Sequence, residues 1–168
     1  LFSYRQLNFL GLVLCVGAMA FALLFLQNHL GLEPCPLCIV TRIIVISLAV
    51  VFLLAFLHNP NSGGQKFYAG LNLIIAITGL GVQLRHVWLQ NLPADEVPAC
   101  GPGLEYLMDT LPLVSVLKHV FSGSGECAEI DWTFMGLSIP AQTALLFVVL
   151  LALILTILKK KTKRPLFG

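Results

Sequence analysis

Ile43-Ile44-Val45-Ile46-Ser47-Leu48-Ala49-Val50-Val51-Phe52-Leu53-Leu54-Ala55-Phe56-Leu57 is apolar throughout save Ser47 and carries no charge. Such a run has no wet face, so a helix made from it belongs in a core or in a bilayer. With Ile39-Val40-Thr41 ahead of it, it approaches the ~20 apolar residues that cross the hydrocarbon. Immediately upstream stands Cys35-Pro36-Leu37-Cys38, at the point where one charge-free run ends and the next begins. Downstream, Asn59-Pro60-Asn61 and Gly63-Gly64 mark a turn.

The same pattern recurs along the chain. Stretches free of Asp, Glu, Lys and Arg run from Gln6 to Leu32, Ile43 to Gln65, Phe67 to Leu84 and Trp132 to Leu158. The 168 residues are 58% hydrophobic and 11% charged, against about one quarter charged in soluble domains. These runs predict an all-α membrane protein, a bundle of four transmembrane helices near Phe9–Asn28, Ile39–Leu57, Phe67–Trp88 and Pro140–Leu158. Asn72, Gly79, Gly81 and Gln83 interrupt the third, and its glycines are expected close-packing points between helices. Ala18-Met19-Ala20 has the form of a signal-peptidase site, but Phe21–Leu26 continues the apolar run past it, so the first span is expected to stay as a helix. No internal repeat or low-complexity segment divides residues 1–168, which read as one domain.

Charge predicts the orientation. All eight acids, Glu33, Asp95, Glu96, Glu105, Asp109, Glu126, Glu129 and Asp131, fall in the first or third connection. Arg5, Lys66 and the tail residues Lys159, Lys160, Lys161, Lys163 and Arg164 fall on the opposite side. By the positive-inside rule both termini, with the tail 159–168, are cytoplasmic. The connections 29–38 and 89–139 then face outward. The net charge of +2 comes from that tail, which reads as a topology anchor; no basic patch interleaved with aromatics suggests nucleic acid. In the long outer connection, Leu104, Leu107, Met108, Leu111, Val114, Leu117 and Phe121 recur at helical spacing, with Glu105, Asp109 and His119 on the other face. This predicts a short amphipathic helix in the membrane interface, bent or split at Pro112.

Of the five cysteines, Cys15 sits mid-span and reads as a small core residue. Cys35, Cys38, Cys100 and Cys127 all fall on the outer side, where disulfides persist. Three pairings are possible; Cys35 with Cys38 and Cys100 with Cys127 keeps each pair within one connection. A loop as small as Cys35–Cys38 constrains little of the unfolded chain, and at a helix N-terminus the thiolate is favoured, so this pair reads as redox-active rather than structural. Metal is not expected: no His follows Cys38 as c-type haem requires, and a four-cysteine zinc site carries two short knuckles.

Arg42 follows Cys38 by one helical turn, on the same face. A charge at the centre of a membrane helix costs about 2.5–3.5 kcal/mol, so Arg42 either snorkels to the outer interface or holds an anion beside Cys38. Arg85 is expected to approach the same region. A thiolate, two cations and apolar walls suit a lipid-soluble electron acceptor.

Cys-Pro-Leu-Cys with Arg42, the four spans and the distant cysteine pair together resemble the bacterial disulfide bond formation protein B family. The resemblance extends to Gly81-Val82-Gln83-Leu84, Trp88-Leu89-Gln90, Glu126-Cys127-Ala128-Glu129, Trp132 and Gly136-Leu137. It implies a multi-pass quinone reductase of the bacterial inner membrane that reoxidises a periplasmic thioredoxin-fold dithiol oxidase, the family's A protein. Carried over by motif, Cys100 is attacked by the partner with Cys127 as its disulfide mate. Cys35 and Cys38 form the quinone-proximal pair, with Cys38 and Arg42 beside ubiquinone or, without oxygen, menaquinone; Arg85 is added to that site by its place near the outer end of the third helix, not by the motif. A His that some members carry on the third helix aligns with Trp88, and His86 lies two positions earlier; neither is assigned to the site. The alternative from another class is a non-catalytic four-helix membrane protein whose outer loop, stapled by disulfides, binds a partner.

Overall fold

The computed structural model describes residues 2–100 and 104–160, and the side chains of all of these but Leu104 and Glu105. Gly101 and Pro102 beside Cys100, and the tail residues Lys161, Lys163 and Arg164, lie outside the described residues.

Four helices are long and apolar enough to cross a membrane: Tyr4–His29, Pro36–His58, Ser62–Gln90 and Ile139–Lys159. Each extends beyond the stretch expected from hydropathy, because helix-compatible residues, with a side-chain cap at the start of the first two, continue the helix past its apolar centre. Helix α1 (Tyr4–Ala20) starts in a capping box in which Ser3 Oγ accepts from Gln6 N–H and Gln6 Oε1 accepts from Ser3 N–H. It runs without a break through Ala18-Met19-Ala20 into a π-helical segment, Phe21–His29. Helix α2 (Pro36–His58) begins with proline at its first position, where the missing N–H costs nothing, and ends at Asn59 in the left-handed conformation.

Helix α3 (Ser62–Gln90) has the lowest mean hydropathy of the four, 1.6. Its polar interruptions face inward: Asn72, Gly79 and Gln83 are all buried. Gly79 lets the Phe147 ring of α7 (Ile139–Lys159) pack on the helix backbone, where any Cβ would collide with it. Gly81 does not serve as a packing point, contrary to expectation. It is exposed with open space around it, because two residues turn it about 200° from Gly79.

The helices pack in the ring α1–α2–α3–α7 around a core that includes Cys15, Val45, Phe52, Phe147 and Ile154. At the end bearing the termini, Asn8 Nδ2 donates to Gln65 Oε1 at 2.8 Å, tying α1 to α3. The opposite end carries the cap. Pro112 splits the outer helix into α4 (Leu104–Thr110) and α5 (Leu113–Ser122), followed by the single turn α6 (Gly125–Ala128). Leu107, Val116, Val120 and Cys127 pack on Leu37 of α2 and Val82 and Leu89 of α3. Met108, Val114, Leu117 and Phe121 stay exposed, as suits a helix pair lying against lipid. Strands β1 (Thr133–Phe134) and β2 (Leu137–Ser138) form a hairpin the sequence reading did not anticipate. Its turn residues Met135 and Gly136 both take positive φ, 53° and 81°. This is a multi-pass, all-α membrane protein with its sulfur-bearing connections at one end.

Candidate active site

Cys35 is the N-cap of α2, and its Sγ accepts from Cys38 N–H at 3.4 Å. The proline after it fixes the helix start, so Cys38 falls one turn on, with the two Sγ atoms 3.0 Å apart. Both sulfurs lie at the helix N-terminus, where unpaired backbone N–H groups leave partial positive charge. The Cys35 thiol is nevertheless pushed up to about 12: the hydrogen bond with Cys127 lowers it, but the hydrogen bond with Cys38 and burial outweigh that.

Cys127 joins this pair from the other connection. It is fully buried, its Sγ lies against the Leu37 backbone N–H, and Ser124 Oγ stands 3.7 Å from it. The ligating atoms of Cys35, Cys127 and His86 all lie within 4.8 Å of one another. The Cys127 thiol is held well above the ordinary range, first by its hydrogen bond to Cys35 and then by burial.

Cys100 is exposed, and its sulfur packs on α6: a Cβ at Gly125 would come within 2.8 Å of Cys100 Sγ and 2.9 Å of the Pro98 carbonyl oxygen. All five cysteines carry free thiols here. Pairing within each connection is thus not the only contact this fold offers. Cys127 meets Cys35 across the two connections, giving a path from an exposed sulfur through a buried one to the Cys35–Cys38 pair. Cys15 stands apart in the bundle core.

A cavity of about 460 Å³ opens beside the pair. Leu14, Met19, Phe21 and Leu26 of α1 and its π-helical extension give it an apolar wall, and Cys35, Cys38, Arg42, Gln83, His86 and Gln90 give it a polar end. Arg42 is half-buried and donates from Nη1 to Gln27 Oε1 at 2.7 Å. Gln83 Nε2 donates to Thr41 Oγ1, which leaves Gln83 Oε1 buried without a partner; His86 Nδ1 is likewise unpaired. The π-helix spaces Phe21, Phe25 and His29 into a stacked ladder, and Trp132 sits edge-on to Phe25, joining this wall to the hairpin.

Arg85 takes another direction. Its guanidinium lies 4.3 Å from the Trp88 ring centroid and donates to the Ser122 carbonyl at 3.1 Å, so it braces α5 and does not line the cavity. Trp88 is exposed, whereas His86 is buried at the sulfurs.

Relatedness agrees with this arrangement. The family model described as Disulfide bond formation protein DsbB matches residues 4–157. The chain belongs to the disulfide bond formation protein B family. Its similar relatives include the Disulfide bond formation protein B of Nitrosococcus oceani, 52% identical over 148 residues covering 88% of this chain and 87% of that one. The protein of the same name from Acinetobacter baumannii is 51% identical over 150 residues, covering 89% and 87%. That from a Psychrobacter species is 48% identical over 159 residues, covering 94% and 93%.

In this member of the disulfide bond formation protein B family, His86, Gln83 and Gln90 line the cavity and Gln27 holds Arg42, four residues that the sequence by itself does not assign to the site. A signal for three of them was present: positions 83, 86 and 90 share one face of α3 by helical spacing. Gln27 had none, because its meeting with Arg42 depends on how the π-helical end of α1 leans on α2. Cys35, His86 and Cys127 are close enough to share a soft cation. However, the 3.0 Å between Cys35 and Cys38 is shorter than the roughly 3.8 Å that two thiolates on one tetrahedral zinc adopt at 2.3 Å bonds. This spacing suits exchange between Cys35 and Cys38 better than joint ligation by those two.

Proposed function

We infer that this disulfide-forming membrane oxidoreductase reoxidises a periplasmic thioredoxin-fold dithiol oxidase and passes the electron pair to membrane quinone, sustaining disulfide formation in exported proteins. The observation that carries the reading is the line of sulfurs, with exposed Cys100 at one end and Cys38 at the mouth of an apolar cavity at the other. Positive charge at the termini supports placement in the bacterial inner membrane with both termini cytoplasmic.

In the oxidised enzyme, the partner's thiolate bonds Cys100 and breaks the Cys100–Cys127 bond, so the electron pair leaves on Cys127. Cys127 lies against Cys35. Its sulfur bonds Cys35, the Cys35–Cys38 bond breaks, and the pair leaves on Cys38 beside the cavity. Exchange of this kind needs access and thiolate character, and the two cysteine pairs divide those demands between a soluble protein and a lipid-soluble acceptor.

The cavity fits a quinone. Its volume lies in the range of small-ligand sites, its walls are apolar, and the orphaned polar atoms of Gln83 and His86 together with the Arg42 guanidinium offer partners to ring oxygens. A bound quinone, ubiquinone or alternatively menaquinone, supplies a sink for two electrons and two protons. Arg42 would hold negative charge at that end, on the Cys38 thiolate or on the ring. Disulfides that only staple loops have no use for a third sulfur at exchange distance, so the non-catalytic alternative is the weaker reading.

The test is anaerobic turnover of purified protein with a reduced thioredoxin-fold dithiol protein and added ubiquinone. One quinone reduced per dithiol oxidised is expected, with loss of turnover in each of the four Cys-to-Ser variants. If the cysteines of the wild type stay oxidised and no quinone is consumed, the stapled-loop reading stands instead.

A further inference from the structure

His86 is 3% exposed in the last turns of α3, with Nε2 3.7 Å from Cys35 Sγ. Cys127 Sγ shares the same cluster, within 4.8 Å. The ring lines the cavity, and Nδ1 has no hydrogen-bond partner. A histidine that only filled space would satisfy both nitrogens or give way to an apolar residue. The charged side chains along the cavity are Glu33, Arg42, Glu126, Glu129 and Asp131. None of these carboxylates shares the cluster, and Arg42 is bound to Gln27.

We propose that His86 is the acid–base group of the sulfur relay, taking the proton of the Cys127 thiol as that sulfur attacks Cys35 and returning it on the cavity side. The proposal rests on the exchange reading above and deepens it. Cys127 leaves Cys100 as a thiolate and, in surroundings that disfavour the charge, takes a proton from water; in the attack that S–H bond breaks and the proton passes to the imidazole. The Cys127–Cys35 bond forms, the Cys35–Cys38 bond breaks, and the electron pair leaves on Cys38. The imidazolium then gives up the proton to the Cys38 thiolate or to the reduced acceptor, and neutral His86 is restored. Cys127 needs such help because its hydrogen bond to Cys35 and its burial disfavour thiolate, and the thiolate is the attacking form.

The test follows the sulfurs without quinone. Purified full-length wild type, His86→Gln and His86→Ala are mixed rapidly with a reduced thioredoxin-fold dithiol protein. Acid quench and alkylation then score the appearance of the Cys38 thiol across a pH series. Mixed-disulfide formation at Cys100 precedes the step and should be equal in all three, which controls for folding. The expected result is a loss of about 10²-fold at neutral pH in His86→Gln, the low end for a general base. In that variant the rate should climb with pH through the range where the wild type is level. Added imidazole should restore part of the rate in His86→Ala. An unchanged rate and pH profile in His86→Gln would overturn the proposal, as would an equal loss at every pH that imidazole does not repair. A wild type that delivers electrons to Cys38 but not to ubiquinone would refute the quinone reading and leave the role of His86 standing. A wild type that never reduces Cys38 would refute the exchange reading and this proposal with it.

Discussion

Arg42 Nη1 donates to Gln27 Oε1 at 2.7 Å, joining the turn below Cys38 to the π-helical end of α1. The bond holds the guanidinium on the cavity side instead of letting it snorkel freely. Losing a hydrogen bond to a charged group costs about 1.5–3 kcal/mol, or roughly ten- to a hundredfold in an apparent binding constant. Arg42→Leu should raise the apparent quinone KM by that factor, with Arg42→Lys intermediate because it keeps the charge and loses the planar fork. Gln27→Leu should give a smaller rise. Steady-state kinetics with varied quinone decide this, and an unchanged KM in Arg42→Leu would leave snorkelling as its whole role.

Cys35→Ser and Cys38→Ser should each abolish quinone reduction, because each breaks the 3.0 Å sulfur contact. Cys15→Ser should retain nearly full turnover, since Cys15 is buried in the bundle core away from the relay. Full activity in either of the first two would remove the pair from the mechanism.

Replacing Cys127 by Ser should trap a mixed disulfide between Cys100 and the partner. Cys100 is the exposed member and Cys127 is fully buried behind Gly125. Non-reducing electrophoresis followed by peptide mapping reads the trapped residue. Trapping through Cys127 in a Cys100→Ser protein, and not the reverse, would exchange the two roles.

Pulse alkylation of the reduced protein should label Cys100 first. Cys127 should lag at neutral pH, and its rate should keep rising beyond the ordinary thiol pKa of about 8.5, because its own is raised and thiolate is the reactive form. Equal labelling rates at neutral pH would contradict the buried position of Cys127.

Gly79 and Gly81 should respond oppositely to alanine. Gly79→Ala forces a methyl into the Phe147 ring, and overpacking of this kind costs about 1–3 kcal/mol. Gly81→Ala meets open space and should be neutral or stabilising by up to about 1 kcal/mol. Thermal unfolding in detergent compares the two, and matched losses would mean that α3 packs through both glycines.

Hydropathy and local spacing settled what is local. The four charge-free runs read as spans, Pro112 as a bend or break in the outer helix, and Arg42 had to lie one turn from Cys38 on the same face. Pro36 put Cys35 at a helix start. These readings follow from backbone geometry within a few residues, so they survive without knowing any neighbour. What faces what across helices was beyond them. His86 and Trp88 are two positions apart and so about 200° apart around α3. Only the packing of α3 against α2 and α6 turns His86 to the sulfurs and leaves Trp88 outside with Arg85. In the same way Cys127 meets Cys35 because α6 packs on the outer ends of α2 and α3, burying Cys127 with Leu37, Val82 and Leu89. Sequence separation carries no record of that contact; it exists because the apolar faces of separate elements must share one buried space.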